Sequence, residues 1–283
     1  MTELLARCAA VSHRYGTHTV LDVVNLEVPT GEVVGLLGAN GAGKTTLIRI
    51  LLGLLAPSSG SVSLLGAAPS RRARSRIGYV PQSLGLYEDL TAAENLDFTA
   101  AAFGGRTASL PAALAVPPGV LAGRLPLGLQ RRLAFATAFA HSPRLYVLDE
   151  PTSGVDPLAR TRLWDVIRDV ADNGAGVLVT THSMEEAEEC DRLVMLAAGR
   201  VVADGTVAGI VGHSQVVTVT GDDWPGALSA LERAGLRPSL VGRSLRVPGT
   251  DLAAARIALS GTGARARLAP ATLEERFVEL TAS

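Results

Sequence analysis

The chain has 283 residues, more than the ~100–200 of a usual single domain, with 47% hydrophobic and 19% charged residues. That balance supports a sizeable core and excludes a disordered chain, while a formal net charge of −1 excludes a bulk basic field for nucleic acid or an anionic bilayer. The start, Met1-Thr2-Glu3, lacks the basic-then-apolar layout of a signal peptide, and stretches such as Leu51 to Pro57 fall far short of the ~18 apolar residues of a membrane span. Cys8 and Cys190 stand at no ligand spacing, so neither a disulfide framework nor a metal site is expected, and a cytoplasmic location fits.

Residues 1–36 read as β-rich, with runs at Ala9 to Val11, Thr19 to Leu21 and Val23 to Val28 and a turn at Thr30-Gly31. Glu32 to Leu37 is a short apolar run consistent with a buried strand. A helical pattern follows from Lys44 to Leu55, until Pro57-Ser58-Ser59-Gly60 breaks it. Ser61 to Leu65 and Ile77 to Val80 are strand candidates, and residues 84–142 are Ala-rich and mostly helical, interrupted near Pro111, Pro117 and Pro118. Leu145 to Leu148 predicts a strand, Pro157 to Asp172 a helix and Gly176 to Thr181 a strand. A helix from Met184 to about Cys190 precedes strands at Arg192–Leu196 and Arg200–Ala203.

After about Val211 the character changes. Val216 to Thr220 predicts a strand, Trp224 to Ala234 a helix, and Leu240–Val241 and Leu245–Val247 a hairpin around Gly242. Asp251 to Leu259 is helical, Ala264 to Leu268 alternates, and Leu273, Phe277 and Leu280 lie at helical spacing. This β-α-β-β-α-β-α order suggests a small α+β domain over residues 214–283, appended to an α/β domain over residues 1–213.

Of the 26 basic residues only Lys44 is a lysine, which points to a need for a compact ammonium there. Gly38-Ala39-Asn40-Gly41-Ala42-Gly43-Lys44-Thr45 is a complete phosphate-binding loop between a predicted strand and a predicted helix. Its glycines let successive backbone N–H groups turn toward phosphate oxygens, and the helix N-terminus adds its positive dipole end. Lys44 is expected to reach the β- and γ-phosphates, Thr45 to ligate Mg²⁺ and Thr46 to contact the α-phosphate. Downstream, Leu145-Tyr146-Val147-Leu148-Asp149-Glu150 is an apolar strand ending in two acids, which places carboxylates at a sheet's C-terminal edge where α/β ligands bind. Asp149 suits Mg²⁺, and Glu150 suits a general base that orients the attacking water.

These pieces, in this order, resemble the nucleotide-binding subunit of ATP-binding cassette (ABC) transporters across roughly residues 1–212. The resemblance implies a P-loop cassette with a RecA-like core, a β-subdomain and a helical subdomain near residues 84–138, binding ATP and Mg²⁺. It places Tyr15 as the aromatic that stacks on adenine. Gln82, in Gly78-Tyr79-Val80-Pro81-Gln82, corresponds to the glutamine that senses Mg²⁺ and the γ-phosphate and faces the membrane partner. Asp156, in Ser153-Gly154-Val155-Asp156-Pro157, corresponds to the family's D-loop, and His182 to the switch histidine at the γ-phosphate. Catalysis is thereby expected of Glu150, His182 and Gln82, and metal contacts of Thr45, Gln82 and Asp149.

One stretch departs from the family. Leu125-Pro126-Leu127-Gly128-Leu129-Gln130-Arg131-Arg132-Leu133 stands where the signature Leu-Ser-Gly-Gly-Gln belongs, so Pro126 replaces Ser and Leu127 replaces the first Gly. In the family this segment closes on ATP held by the other subunit's phosphate loop. Each lost hydrogen bond to a charged group is worth about 1.5–3 kcal/mol, so this change weakens closure. The region from Gln82 to Pro126 is also short for the family. Pro270-Ala271-Thr272-Leu273-Glu274-Glu275-Arg276-Phe277-Val278-Glu279-Leu280-Thr281 resembles the end of daunorubicin-resistance-type export ATPases.

The resemblance thus implies an ATPase subunit of an exporter, held at the inner face of the cell membrane by a separate membrane-spanning permease. A dimer through the nucleotide sites is expected, with an intact-signature partner favoured over a second copy. The competing reading is a hydrolysis-poor regulatory subunit. A cassette acting on ribosomes or DNA is disfavoured by the neutral charge, and no nucleic-acid partner is expected.

Overall fold

Two twelve-residue strands open the chain in this computed structural model, β1 (Leu4–Tyr15) and β2 (His18–Pro29). The structure describes residues 3–104 and 110–281; the Met1-Thr2 start and residues 105–109 of the Ala-rich stretch lie outside them. Both strands outrun the short runs that alternation suggests, because bulges absorb the breaks in pattern. Ala10 (φ 50°) and Val23 (φ 54°) take left-handed backbone while the β1–β2 register slips and the antiparallel ladder continues.

Strand β3 (Val33–Leu37) is buried throughout and leads through the Gly-rich loop into helix α1 (Lys44–Leu51). The helix stops short of the expected Leu55. Gly53 turns left-handed (φ 65°), and the amides of Leu54 and Leu55 both fold back onto the Arg49 carbonyl. Strand β4 (Ser59–Leu64) completes an antiparallel sheet of order β2-β1-β4. Leu47, Ile48, Ile50 and Leu51 of α1 share one core with this sheet and with Val34, Leu36, Val147 and Leu178, so apolar packing from both sheets fixes the helix that begins at Lys44.

Next come the one-turn helix α2 (Arg71–Arg74), strand β5 (Ile77–Val80), and α3 (Ala92–Ala102), which opens with a Thr91/Glu94 capping box. Helix α4 (Leu127–Phe139) follows. The expected mostly helical stretch is in fact broken in its described part. Single 3-10 turns at Ala112–Leu114 and Ala122–Arg124 replace helix where Pro111, Pro117 and Pro118 withhold amide donors.

Strand β6 (Leu145–Asp149), helix α5 (Pro157–Asp172), strand β7 (Gly176–Thr181), helix α6 (Met184–Glu188) and strands β8 (Arg192–Ala197) and β9 (Arg200–Gly205) complete a sheet of order β5-β6-β7-β3-β8-β9. Its neighbours from β5 through β8 pair in parallel, which makes the fold α/β with β3 at the centre. Among the described residues no helix is long and apolar enough to cross a membrane.

The C-terminal part has its own core. Helix α7 (Val207–Val211) precedes β10 (Gln215–Thr220), α8 (Trp224–Arg233), β11 (Ser239–Val241), β12 (Ser244–Val247), α9 (Leu252–Ala258), β13 (Arg265–Pro270) and α10 (Leu273–Thr281). The sheet runs β11-β12-β10-β13, and Val217, Val219, Leu231, Leu245 and Val247 fill its interior. Contacts divide the chain into units 1–204 and 205–283, so the expected boundary at 213/214 falls inside the second unit. The reason is local. Arg276 on α10 donates to the Ile210 carbonyl of α7 (3.3 Å), and the Ala271 amide donates to the Ser214 carbonyl (2.9 Å).

A chain ending at Asp204 is therefore expected to fold and bind nucleotide. One ending at 213 keeps α7 without α10 and uncovers Ile210, which is 9% exposed in the full chain. Thermal melting and nucleotide titration of both truncations check this; a lower melting point for the 204 form would place the boundary at 213.

Candidate active site

The parallel register sets the site. Leu37 of β3 lies beside Thr181 of β7, and Asp149 of β6 beside Thr180, so three strand ends stop at one sheet edge. The Gly38 amide donates to the Thr181 carbonyl (3.2 Å), which pins the start of the loop to that edge. Two glycines in the loop are required by packing. A Cβ on Gly38 would lie 2.5 Å from the Leu196 carbonyl oxygen, and one on Gly43 (φ 107°) would lie 2.7 Å from Leu21 Cδ2 and 3.0 Å from the Val20 carbonyl oxygen.

A cavity of about 400 Å³ opens over the loop, lined by Tyr15, Val20, Gln82, Glu150 and the residues from Ala39 to Thr46. Tyr15, at the end of β1, is half exposed there and makes an edge-on ring contact with His13. Lys44 is buried beneath it. Its ammonium donates to the Gly38 carbonyl (2.6 Å) and the Ala39 carbonyl (3.3 Å) and lies 3.6 Å from Glu150 Oε1. Thr45 Oγ1 donates to Asp149 Oδ2 (3.3 Å), and Thr180 Oγ1 donates to Asp149 Oδ1 (2.6 Å).

Glu150 is the meeting point. Gln82 Nε2 donates to its Oε2 (3.3 Å), and His182 Nδ1 lies 3.3 Å from its Oε1. The Glu150 backbone is left-handed (φ 50°), which for a residue with a side chain costs on the order of 1–3 kcal/mol and marks a position held by its surroundings. Its amide donates to Thr180 Oγ1 at 3.0 Å. The structure thus brings together every residue that the sequence reading placed at the site. Gly38, Asp149 and His182 do not line the cavity but touch residues that do.

The donor set fits a magnesium nucleotide. Among the described residues no group of three or more His, Cys, Asp or Glu could hold a metal ion by itself. One carboxylate and one hydroxyl, Asp149 and Thr45, is the sparse oxygen set that suits Mg²⁺ shared with substrate phosphates.

Known proteins agree with this geometry. The ABC transporter family model matches residues 21–153. The Nod factor export ATP-binding protein I of Sinorhizobium fredii is 37% identical over 290 residues, spanning 96% of this chain and 84% of that protein. The chain belongs to the ABC transporter ATP-binding family. The cassette is accordingly an ATP-binding, ATP-hydrolysing subunit. The probable multidrug ABC transporter ATP-binding protein YbhF of Escherichia coli K12 is 39% identical over 216 residues, 72% of this chain and 37% of that protein. A solved ATP-binding subunit of an ABC transporter, 33% identical, superposes with a TM-score of 0.65 over 73% of this chain and 91% of its own.

Other cassette residues are accounted for structurally. Asp156 caps α5, accepting from the Ala159 amide (3.0 Å) ahead of Pro157. Pro126 is the N-cap of α4 and offers no side-chain acceptor, although its carbonyl accepts from Leu129 (2.8 Å) and Gln130 (3.0 Å). Leu127 is 44% exposed, and a Cβ on Gly154 would come within 3.1 Å of its Cδ2. Burial alone pushes the Cys8 thiol up to about 12, and burial also leads the rise of Cys190 to about 12, so both are inert core residues.

The sequence reading missed Val20, Thr152, Thr180 and Glu186. Two hydroxyl residues ending a predicted strand, Thr180-Thr181, were the available signal for Thr180, whereas Glu186 reads as one acid among many. Gly43→Ala is expected to lower stability by roughly 1–3 kcal/mol, through left-handed strain and overpacking on Leu21. Urea unfolding checks it, and a midpoint unchanged from the native chain would show that the loop tolerates a side chain.

Proposed function

We propose that this chain is the motor subunit of an exporter, hydrolysing ATP at the inner membrane face to drive a separate membrane-spanning permease. Export is supported by the names of the relatives, which describe Nod factor export and multidrug transport in those proteins. The observation that carries the site's chemistry is the convergence of Lys44, Gln82 and His182 on Glu150.

In this reading Tyr15 stacks on the adenine, and the amides from Ala39 to Thr46 turn to the phosphates. Lys44 leaves the Gly38 and Ala39 carbonyls for the β- and γ-phosphates. Thr45, Asp149 and Gln82 would hold Mg²⁺, which would supply positive charge to offset that of the phosphates. Glu150 orients the attacking water and accepts its proton, and His182 steadies the γ-phosphate. Residues 214–283, with α7, form an accessory domain that stabilises or regulates the assembly.

Lys44→Ala is expected to lose nucleotide affinity, since the phosphates lose their nearest cation. Glu150→Gln should keep affinity and lose turnover by about 10²–10⁴-fold, the usual contribution of a positioned base. Fluorescent-nucleotide titration with steady-state hydrolysis separates the two, and equal loss of binding in both variants would remove Glu150 from the role of base.

The partner is proposed to be a second cassette with an intact signature rather than a second copy. All residues that hold nucleotide in cis are in place, and only the segment that acts in trans, Pro126-Leu127, departs. Pro126→Ser with Leu127→Gly should then raise hydrolysis by the purified chain alone at least tenfold, equivalent to about one recovered hydrogen bond to charge. Equal rates before and after repair would mean that this signature closes a site as it stands.

A further inference from the structure

Behind Glu150 and His182 lies a closed ring of buried groups. Thr181 Oγ1 donates to Glu186 Oε2 (2.6 Å), and Thr152 Oγ1 donates to Glu186 Oε1. The Glu150 amide donates to Thr180 Oγ1 (3.0 Å) and to the Thr180 carbonyl (3.2 Å). The chain from Glu150 to Thr152 and the Thr180–Thr181 peptide supply the two covalent sides. Thr152, Thr180, Thr181 and Glu186 are each at most 5% exposed, so water does not compete for these bonds.

The ring does two things at once. It clamps the segment that leaves Glu150 in its left-handed conformation, and it anchors Thr181, the residue just before His182. A carboxylate is suited to the junction, because it only accepts and so can take both hydroxyl protons. The start of α6 is tied to the same hydroxyl, with the Ser183 amide donating to Thr181 Oγ1 (2.9 Å). Helix α4 reaches the same place. Buried Arg131 donates through Nη2 to the Ser153 carbonyl (3.1 Å), and its Nε and Nη1 make no hydrogen bond. Burial lowers its pKa, against the fields of Glu150 and Glu186.

We infer that Glu186 is a positioning residue for hydrolysis: by tying Thr152 to Thr181 it holds Glu150 and His182 in register across β6 and β7. This rests on the reading of Glu150 as the base. Glu186 is buried and does not line the cavity over the phosphate loop, so its loss should disturb turnover and spare that loop.

The test uses the full chain and the variants Glu186→Ala, Glu186→Gln, Thr152→Val and the Glu186→Ala/Thr152→Val pair. Nucleotide affinity, turnover and melting are measured for each, with the His182 imidazole resonance in the nucleotide-free protein, assigned by its absence in His182→Asn. Glu186→Ala is expected to lower kcat about 100-fold, the scale of an ångström-sized misplacement, while nucleotide affinity holds and the His182 resonance moves. Glu186→Gln should recover part of the loss, since its amide oxygen can take one hydroxyl proton and its NH2 can donate to the other hydroxyl oxygen, and Thr152→Val should add nothing to Glu186→Ala, because one ring is broken once.

Native turnover in Glu186→Ala, additive losses in the pair, or affinity falling in step with rate and melting would each overturn the proposal. If Glu186→Ala does not fold, Thr152→Val decides, and native turnover with an unmoved His182 resonance overturns it. Persisting hydrolysis in Glu150→Gln would instead defeat the reading of the base, which keeps the two failures distinct.

Discussion

The parallel pairing of β6, β7 and β3 is the constraint from which the site follows. Parallel strands end together only when their register is fixed along their length, and here the ladder runs from Leu145 beside Gly176 to Asp149 beside Thr180. The partner ladder runs from Val33 beside Val177 to Leu37 beside Thr181. A slip of one residue would turn every side chain to the opposite face and carry Asp149 away from Thr45. The complete burial of these strands, apolar except at the ends carrying Asp149, Thr180 and Thr181, resists such a slip, so the energy that positions the carboxylates comes largely from the core.

On that edge the electrostatics are self-balancing. Lys44 and Glu150 are both buried, and an isolated charge there would be costly; each is the other's counter-charge at 3.6 Å. Breaking one side strands the other, whereas an incoming phosphate can replace Glu150 as the partner of Lys44. The pairing therefore holds the loop ready without closing it. It also explains why the chain's single lysine is here: a slender ammonium can move from carbonyls to phosphate, whereas a planar guanidinium needs a fixed fork of acceptors.

What the sequence made legible is what lies close together along it. The loop from Gly38 to Thr46 could be read directly, because strand, glycines and helix are contiguous. The strand ending in Asp149-Glu150 carried its own signature of apolar residues followed by acids. Contacts that depend on tertiary register could not be read in this way. The Thr152–Glu186 pair spans 34 residues, and nothing local separates Glu186 from Glu185, Glu188 and Glu189. Element ends failed for related reasons: Gly53 stops α1 through its backbone angle, and β1 and β2 run on because bulges at Ala10 and Val23 repair their alternation. Contacts group α7 with the second unit because it is held by Arg276, far along the chain.

Helix α4 joins the two halves of this picture. At its first turn Pro126 gives no side-chain cap and Leu127 projects into solvent, so the end that would face another subunit lacks the polar groups that a phosphate needs. Further along the same helix, Arg131 is buried and grips the Ser153 carbonyl, just past Glu150 in the chain. The altered residues and the anchoring residue lie on one rigid element, separated by little more than a turn. The change at Pro126 leaves the Arg131 anchor intact, and with it the segment that carries Glu150. The hydrogen bond from that guanidinium to Ser153 ties α4 directly to the segment that follows the base. Pro126 and Leu127 thus share one helix with the residue that anchors the segment carrying Glu150.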